Sequence, residues 1–413
     1  MKKNSKKLAA FGLILPVTLA LAFKGLTFAL PYFNYSLVFY SPGKFIKIAT
    51  DSQPEESLPL VEDAEIKNVI LFIGDGMGLG QLTAARAHFA GIDGRLNIER
   101  MPVTGLLATH AADNLITDSA AAATAMSTGV KTNKGSIGVD ADDKSRKTIL
   151  EAMRDAGFAT GLVTNTQLTD ATPAAFACHV ESRGMKSDIS QQLLKAQINV
   201  LFGEGEYLYP ATDSRSIRTD DFEPLMFART QGYEVIESTE ALLATEAQFA
   251  LAVFEDLTTD RWQPSIHAPS NPPKLSQLTE KALELLHRNA TGFFLMVESE
   301  GIDMGGHANR PDYMLHYLRE LDEAVKIGVD FARHDGHTLV IVTADHETGG
   351  MNLIGGKPQE ERMQLVWDTD RHTGQPVPLF AFGPHALRFT GMKDNTELPK
   401  LLAELLRLKN FSN

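Results

Sequence analysis

Three short apolar runs in this chain stop at side chains that bind metals. Val69–Ile73 leads through Gly74 into Asp75, Phe293–Val297 into Glu298, and Leu339–Thr343 into Asp345 and His346. In an open parallel sheet the ligand crevice lies beyond the carboxyl ends of the strands, so such runs bring groups from distant parts of the sequence to one place. A single strand-end aspartate is ordinarily a cap or turn residue. Three such ends, one with a histidine attached, are not explained by capping. Further apolar runs at Leu106–Thr109, Ala159–Thr164 and Pro378–Phe382 alternate with helical stretches such as Arg146–Ala156, closed by Gly157, and Leu275–Arg288. That alternation predicts an α/β fold with a mostly parallel sheet covered by helices. A helix beginning near Pro311 places Leu318, Leu321, Val325 and Val329 on one face, which is ordinary packing.

The 413 residues suffice for one large α/β domain or two ordinary ones. Acidic residues outnumber basic ones by 52 to 39, a net charge of -13 that repels polyanions over most of the surface. Nucleic-acid binding is therefore not the expected task, whereas a small phosphorylated substrate is compatible if cations invert the sign inside an acidic pocket. The single cysteine, Cys178, rules out an intrachain disulfide and a cysteine-rich zinc module. Any metal must be held by carboxylates and imidazoles.

Residues 1–50 read as an N-terminal signal peptide or membrane anchor. Lys2, Lys3, Lys6 and Lys7 precede the apolar run Leu8–Phe23, the layout of a secretory signal, and Ala20 and Ala22 offer a cleavage site. A second apolar and aromatic stretch, Gly25–Tyr40, would lengthen the segment into a retained anchor. Either way the lysines favour a cytoplasmic start and an exported domain, periplasmic or extracellular. An acidic, proline-containing linker over residues 51–65 follows, and the catalytic domain is expected over 66–413.

The stretch Asp118–Gly129, DSAAAATAMSTG, sets Ser119 at the threshold of an alanine-rich helix. Free amides and the positive dipole end favour an arriving anion there, although an N-capping serine accounts for the residue taken alone. Candidate ligands lie elsewhere. ESEGIDMGGH, Glu298–His307, holds three carboxylates and a histidine, with Asp303 and His307 four apart; His346 follows Asp345, and His372 precedes a strand. Asp303, His307 and His372 would make an open zinc site. Asp75, Asp345 and His346 would make a second beside Ser119, and Asp75, Thr172 and Glu298 would supply oxygen to magnesium. Spacing alone does not fix that grouping. Cys178 beside His179 reads as a buried thiol and not as a ligand pair.

Asp75 in IGDGMG, Asp118 and Ser119 in TDSAAAATAMSTGVKTNKGSIGVD, and Asp345 with His346 in VTADHETGG resemble the alkaline phosphatase family. The resemblance continues through DATPAAFACHVESR, MVESEGIDMGGH and RHTGQPVPLFAFGPHA and covers most of residues 67–202 and 293–386. It implies a three-layer fold with helices on both faces of the sheet. Ser119 then resembles the nucleophile that forms a phosphoseryl intermediate, Arg183 the guanidinium that grips phosphate, and Asp118 the carboxylate that orients it. Asp303, His307 and His372 match the ligands of the zinc on the leaving-group side, and Asp75, Asp345 and His346 those of the zinc that activates the serine. Asp75 also reaches a magnesium held by Thr172 and Glu298, near which Asp170 matches a position that is aspartate in some relatives and histidine in others. Two zinc ions, one magnesium, phosphate monoester substrates and a homodimer are what the family implies.

Two departures stand out. Met304 follows Asp303 where some relatives carry a phosphate-contacting residue, and only the 25 residues from Glu347 to Arg371 separate His346 from His372, too few for an elaborate crown. Faster phosphate release and open access are expected. A sulfatase would need a modifiable cysteine or serine in a CxPxR-like setting, but alanines follow Ser119. A diesterase differs only in pocket shape, and a non-catalytic phosphate-binding protein would not need Ser119.

Overall fold

The ladder at the centre of the molecule is built from the runs that the sequence marks as buried. The computed structural model describes residues 43–49, 56–255, 257, 272–409 and 411, all within the unit Pro42–Asn413. Among them one sheet has ten strands: β1 (Asn68–Gly74), β2 (Val103–Ala108), β3 (Ala159–Gln167), β4 (Val200–Glu204), β5 (Glu234–Ile236), β6 (Ala250–Phe254), β7 (Phe293–Ser299), β8 (Thr338–Thr343), β9 (Val377–Phe382) and β10 (Gly391–Asp394). Their spatial order is β10-β2-β9-β8-β1-β7-β3-β4-β6-β5. All run one way except β9, which is antiparallel to β2 and β8. Every residue of β1, β7, β8 and β9 is buried, as a sheet covered on both faces requires.

The six expected strands are all present, while β4, β5, β6 and β10 were not anticipated. The strand expected at Leu106–Thr109 starts earlier, at Val103, and ends at Ala108.

Helices flank the sheet in two groups, giving the three-layer α/β fold. One contains α1 (Leu79–Phe89), α5 (Leu275–Leu286) and α7 (Pro311–Asp335); the other contains α2 (Ser119–Thr128), α3 (Ile149–Asp155) and α8 (Glu397–Leu405). Two further helices, α4 (Lys186–Lys195) and α6 (Gly301–His307), carry site residues. Pro311 opens α7, and Gly336, at φ 73°, closes it in the left-handed conformation that glycine adopts without strain. Leu318, Leu321, Val325 and Val329 are all buried beneath it. Helix α3 starts later than its sequence suggests because Thr148 caps it: the Thr148 hydroxyl accepts from Glu151 N–H, and the Glu151 carboxylate accepts from Thr148 N–H.

The 25 residues between His346 and His372 carry strands of their own. Asn352–Lys357 and Arg362–Val366 form an antiparallel hairpin, and Lys44–Lys47, which the sequence places in the N-terminal segment, pairs with its second strand. Glu347–Thr348 and His372–Thr373 form a short antiparallel ladder with Thr348 opposite His372. This ladder returns the chain so that two histidines far apart in sequence become neighbours. The secretory signal or anchor expected before residue 43 lies outside the described residues; among those described, no helix is long and apolar enough to cross a membrane.

Candidate active site

The sheet order puts β8, β1 and β7 side by side, so their carboxyl ends share one crevice. Asp75 follows β1, Glu298 lies at the end of β7, and Asp345 and His346 follow β8. From β7 the chain turns into α6, where the four-residue spacing sets Asp303 Oδ2 3.2 Å from His307 Nε2. Gly76 closes the turn after Asp75 at φ 71°, and its N–H donates to Asp345 Oδ1 at 3.1 Å. A Cβ on Gly76 would meet Asp303 Cα at 2.8 Å and Asp303 Oδ1 at 2.9 Å, so only glycine lets this turn approach α6 so closely.

Ser119 is the first helical residue of α2, and the cap before it is Asp118, not Ser119 as a serine-capped start would have it. The Asp118 carboxylate accepts from Ala121 N–H and Gly135 N–H, each at 3.1 Å. The serine hydroxyl is thereby left free of capping and faces the crevice, with Oγ 3.2 Å from His346 Nε2. The same Nε2 lies 3.1 Å from Asp345 Oδ2 and 3.6 Å from Asp75 Oδ1. Asp75, Asp345 and His346 thus converge on one point beside the serine, all buried.

The second group adjoins it. His372 Nε2 lies 3.6 Å from Asp303 Oδ1 and 3.1 Å from His307 Nε2, and the rings of His346 and His372 stack with centroids 3.5 Å apart. Asp303, His346 and His372 also fall within ligand distance of one another, so His346 stands between the two groups. Glu298 accepts from the Thr164 hydroxyl at 2.7 Å, near the buried hydroxyl of Thr172. Arg183 Nη1 lies 3.4 Å from Asp118 Oδ2, and its Nη2 lies 3.2 Å from Asp170 Oδ1. Every site residue named from the sequence therefore lies in this one region. Two more were missed. Glu300, half-buried and bonded to the Thr166 hydroxyl, stands near Glu298 and Asp170, and Lys186 Nζ sits 2.6 Å from Asp170 Oδ1. Cys178 is a buried thiol with its Sγ toward Ile189 O, while His179 turns to Glu151 and Gly138 O.

Do these residues fit metal ions? His307 Nδ1 lies 2.7 Å from Asp370 O, and His372 Nδ1 lies 3.0 Å from Thr117 O. A carbonyl only accepts, so both Nδ1 atoms carry a proton and both Nε2 atoms point into the site, the orientation of a metal-ligating histidine. Among the described residues, Asp75 Oδ1 and Asp345 Oδ2 are buried and make no hydrogen bond, with His346 Nε2 as their ion-pair neighbour. Burial, reinforced by neighbouring carboxylates, pushes Glu298 up to about 8 and Asp345 up to about 7, and raises Asp75 and Glu300 well above the usual range. Burial also drives His346 well below its usual value, with His372 adding to the effect. An oxygen-rich, imidazole-containing cluster under this strain is relieved by cations, and the donor set suits zinc and magnesium.

Fold and site together define a class: a metallohydrolase that pairs a serine hydroxyl with clustered ligands at the carboxyl end of a three-layer α/β sheet. The alkaline phosphatase family model matches residues 66–360 and 354–408. Alkaline phosphatase of Escherichia coli K12 is 35% identical over 421 residues, covering 84% of this chain and 88% of that protein. Among solved structures, alkaline phosphatase from the Antarctic bacterium TAB5 superposes with a TM-score of 0.73 at 28% identity, covering 84% of this chain and all of that one. A histidine-to-aspartate variant of the TAB5 enzyme with magnesium bound in its M3 site gives a TM-score of 0.72 at 28% identity, with 84% of this chain and 100% of that one covered. The chain belongs to the alkaline phosphatase family, a family of phosphoric monoester hydrolases.

The Gly76 contact carries a prediction. Gly76→Ala is expected to push Asp303 out of line and weaken metal binding by about 10- to 100-fold, as loss of a supporting contact around a metal ligand does. Metal retention after dialysis against a graded competitor checks this, and unchanged retention would show that the turn does not constrain Asp303.

Proposed function

We propose that this chain is a zinc- and magnesium-dependent phosphomonoesterase that hydrolyses phosphate monoesters to alcohol and inorganic phosphate through a phosphoserine at Ser119. The observation that carries the reading is the Ser119 hydroxyl 3.2 Å from His346 Nε2, at the point where Asp75 and Asp345 also converge. Asp303, His307 and His372 would hold one zinc, and Asp75, Asp345 and His346 the other. Asp75, Thr172 and Glu298, with Asp170 close by, would hold magnesium; the magnesium in the aspartate variant of the TAB5 enzyme supports that choice. When bound, the two zinc ions would supply Lewis acidity to the attacking and departing oxygens and lower the pKa of the serine hydroxyl.

The protein's own groups do the rest. Arg183 offers a planar fork to two phosphoryl oxygens, and Asp118 fixes the direction of that fork. Ser119 Oγ, its proton passing to solvent, attacks phosphorus opposite the ester oxygen; the serine–phosphorus bond forms as the bond to the alcohol oxygen breaks, and the departing alkoxide takes a proton from solvent. The amides at the start of α2 favour the negative charge gathered there. Water then attacks the phosphoserine from the opposite side, releasing phosphate and restoring the hydroxyl. Phosphoryl transfer asks for positioning and charge neutralisation more than covalent machinery, and this crevice offers both.

Export, through the basic and apolar N-terminal segment of residues 1–50, cleaved or retained as an anchor, belongs to the same reading, as do a homodimer and broad substrate choice through an uncrowned entrance. The purified chain loaded with zinc and magnesium is expected to turn over p-nitrophenyl phosphate at least about 100-fold faster than its bis ester, because a second ester group removes an oxygen from the Arg183 fork. Equal or faster turnover of the bis ester would make the protein a diesterase.

A further inference from the structure

We propose that Lys186 is a positioning residue for phosphate binding: it neutralises Asp170, so that Arg183 is oriented by its carboxylates without being consumed by them. This rests on the phosphomonoesterase reading above and deepens it. Lys186 is the first residue of α4, three residues beyond Arg183, and only 16% of its side chain is exposed. A lysine at a helix start lies at the unfavourable end of the helix dipole and gives up rotamer entropy when it is buried. Helix formation therefore does not explain it.

Its contacts do. Lys186 Nζ donates to Asp170 Oδ1 at 2.6 Å and to Thr169 O at 3.1 Å. Arg183 reaches the same carboxylate only loosely, at 3.2 and 3.3 Å, and Asp118 at 3.4 Å. An unshared carboxylate draws a guanidinium to about 2.7–2.9 Å. The ammonium has taken the close contact, and the arginine is left with two long ones that set its direction and spare its charge. Without Lys186, Asp170 would pair fully with Arg183, and the phosphate would meet one cation fewer.

The test uses the zinc- and magnesium-loaded enzyme with p-nitrophenyl phosphate as substrate and inorganic phosphate as inhibitor. Lys186→Met is expected to raise KM and the phosphate inhibition constant together by about tenfold while kcat changes by less than about twofold, the signature of lost ground-state charge. Lys186→Arg is expected to restore both constants. In an Asp170→Asn background the Lys186→Met effect should shrink to less than about twofold, because no carboxylate is left to neutralise. The same tenfold loss in that background would overturn the proposal by showing that Lys186 meets phosphate itself. A fall in kcat or in thermal stability with KM and the inhibition constant unchanged would overturn it as well. Phosphate affinity by calorimetry reads the same ratio without turnover, so an inert wild type would count against the function while the Lys186 ratio still decides this proposal.

Discussion

Ser119→Ala is expected to lower kcat for phosphate monoesters by roughly 10⁴-fold, in line with the cost of removing a covalent nucleophile. The fold itself should hardly notice. Asp118 caps α2, alanine is the best helix former, and Ser119 makes no structural bond beyond its approach to His346 Nε2 at 3.2 Å. Thermal unfolding of the variant should therefore match the wild type while activity collapses. Residual hydrolysis would be direct attack by water. Equal rates in the two proteins would remove Ser119 from the mechanism.

Metal removal has a comparably large effect, and its size depends on pH. Glu298 is pushed up to about 8 and Asp345 up to about 7, while Asp75 and Glu300 lie well above the ordinary carboxyl range, chiefly through burial. A carboxyl with a raised pKa in the folded state keeps its proton there after the unfolded chain has lost it. Between the two pKa values the folded state binds more protons, so stability falls as pH rises. His307, raised to about 9 chiefly by its bond to Asp303, acts in the same direction: its contribution is intact below the unfolded histidine value and is lost as pH climbs through about 9. Asp303 is held down to about 2, where its histidine neighbours outweigh burial, so its contribution is lost only in acid.

The chelated protein should accordingly lose stability steadily from about pH 5 to 8, by several kcal/mol in all. The zinc- and magnesium-loaded protein, its carboxylates paired with cations, should show little of this slope, and the gap between the two melting curves should be widest at alkaline pH. Activity should fall at least about 1,000-fold on chelation and return when zinc and magnesium are restored. A pH-independent melting curve for the chelated protein would contradict the charged-cluster description. Full activity after complete chelation would point instead to His346 acting as a metal-free base on Ser119.

The parts of this molecule that were legible in the sequence are those in which local pattern and chemistry coincide. β1, β7 and β8 are continuous apolar runs that stop at Asp75, Glu298 and Asp345, so one reading gave both strand and candidate ligand. β6 was missed because ALAVF is too rich in alanine to distinguish a buried strand from a helix, and β4 because Gly203 interrupts a short run. β5 has three residues, and β10, GMKD, is a polar edge with no apolar signature. The site followed the same rule. Candidate ligands with a histidine or a strand end beside them were visible. Lys186 was not, since its partner Asp170 lies sixteen residues away and only the folded turn joins them. Glu300 was visible as one of three carboxylates in ESEGIDMGGH, but its place beside Glu298 and Asp170 was not. The pairing of His346 with His372 depends on the short ladder of Glu347–Thr348 with His372–Thr373, which no local pattern announces.

The most direct measurement is acid quenching of the metal-loaded enzyme within its first turnovers on a monoester, followed by peptide mass spectrometry. One phosphoryl group on Ser119, absent from Ser119→Ala, is the expected result. Quenched enzyme without phosphate on any residue, or with phosphate elsewhere than Ser119, while wild-type turnover proceeds, would contradict serine catalysis at this site.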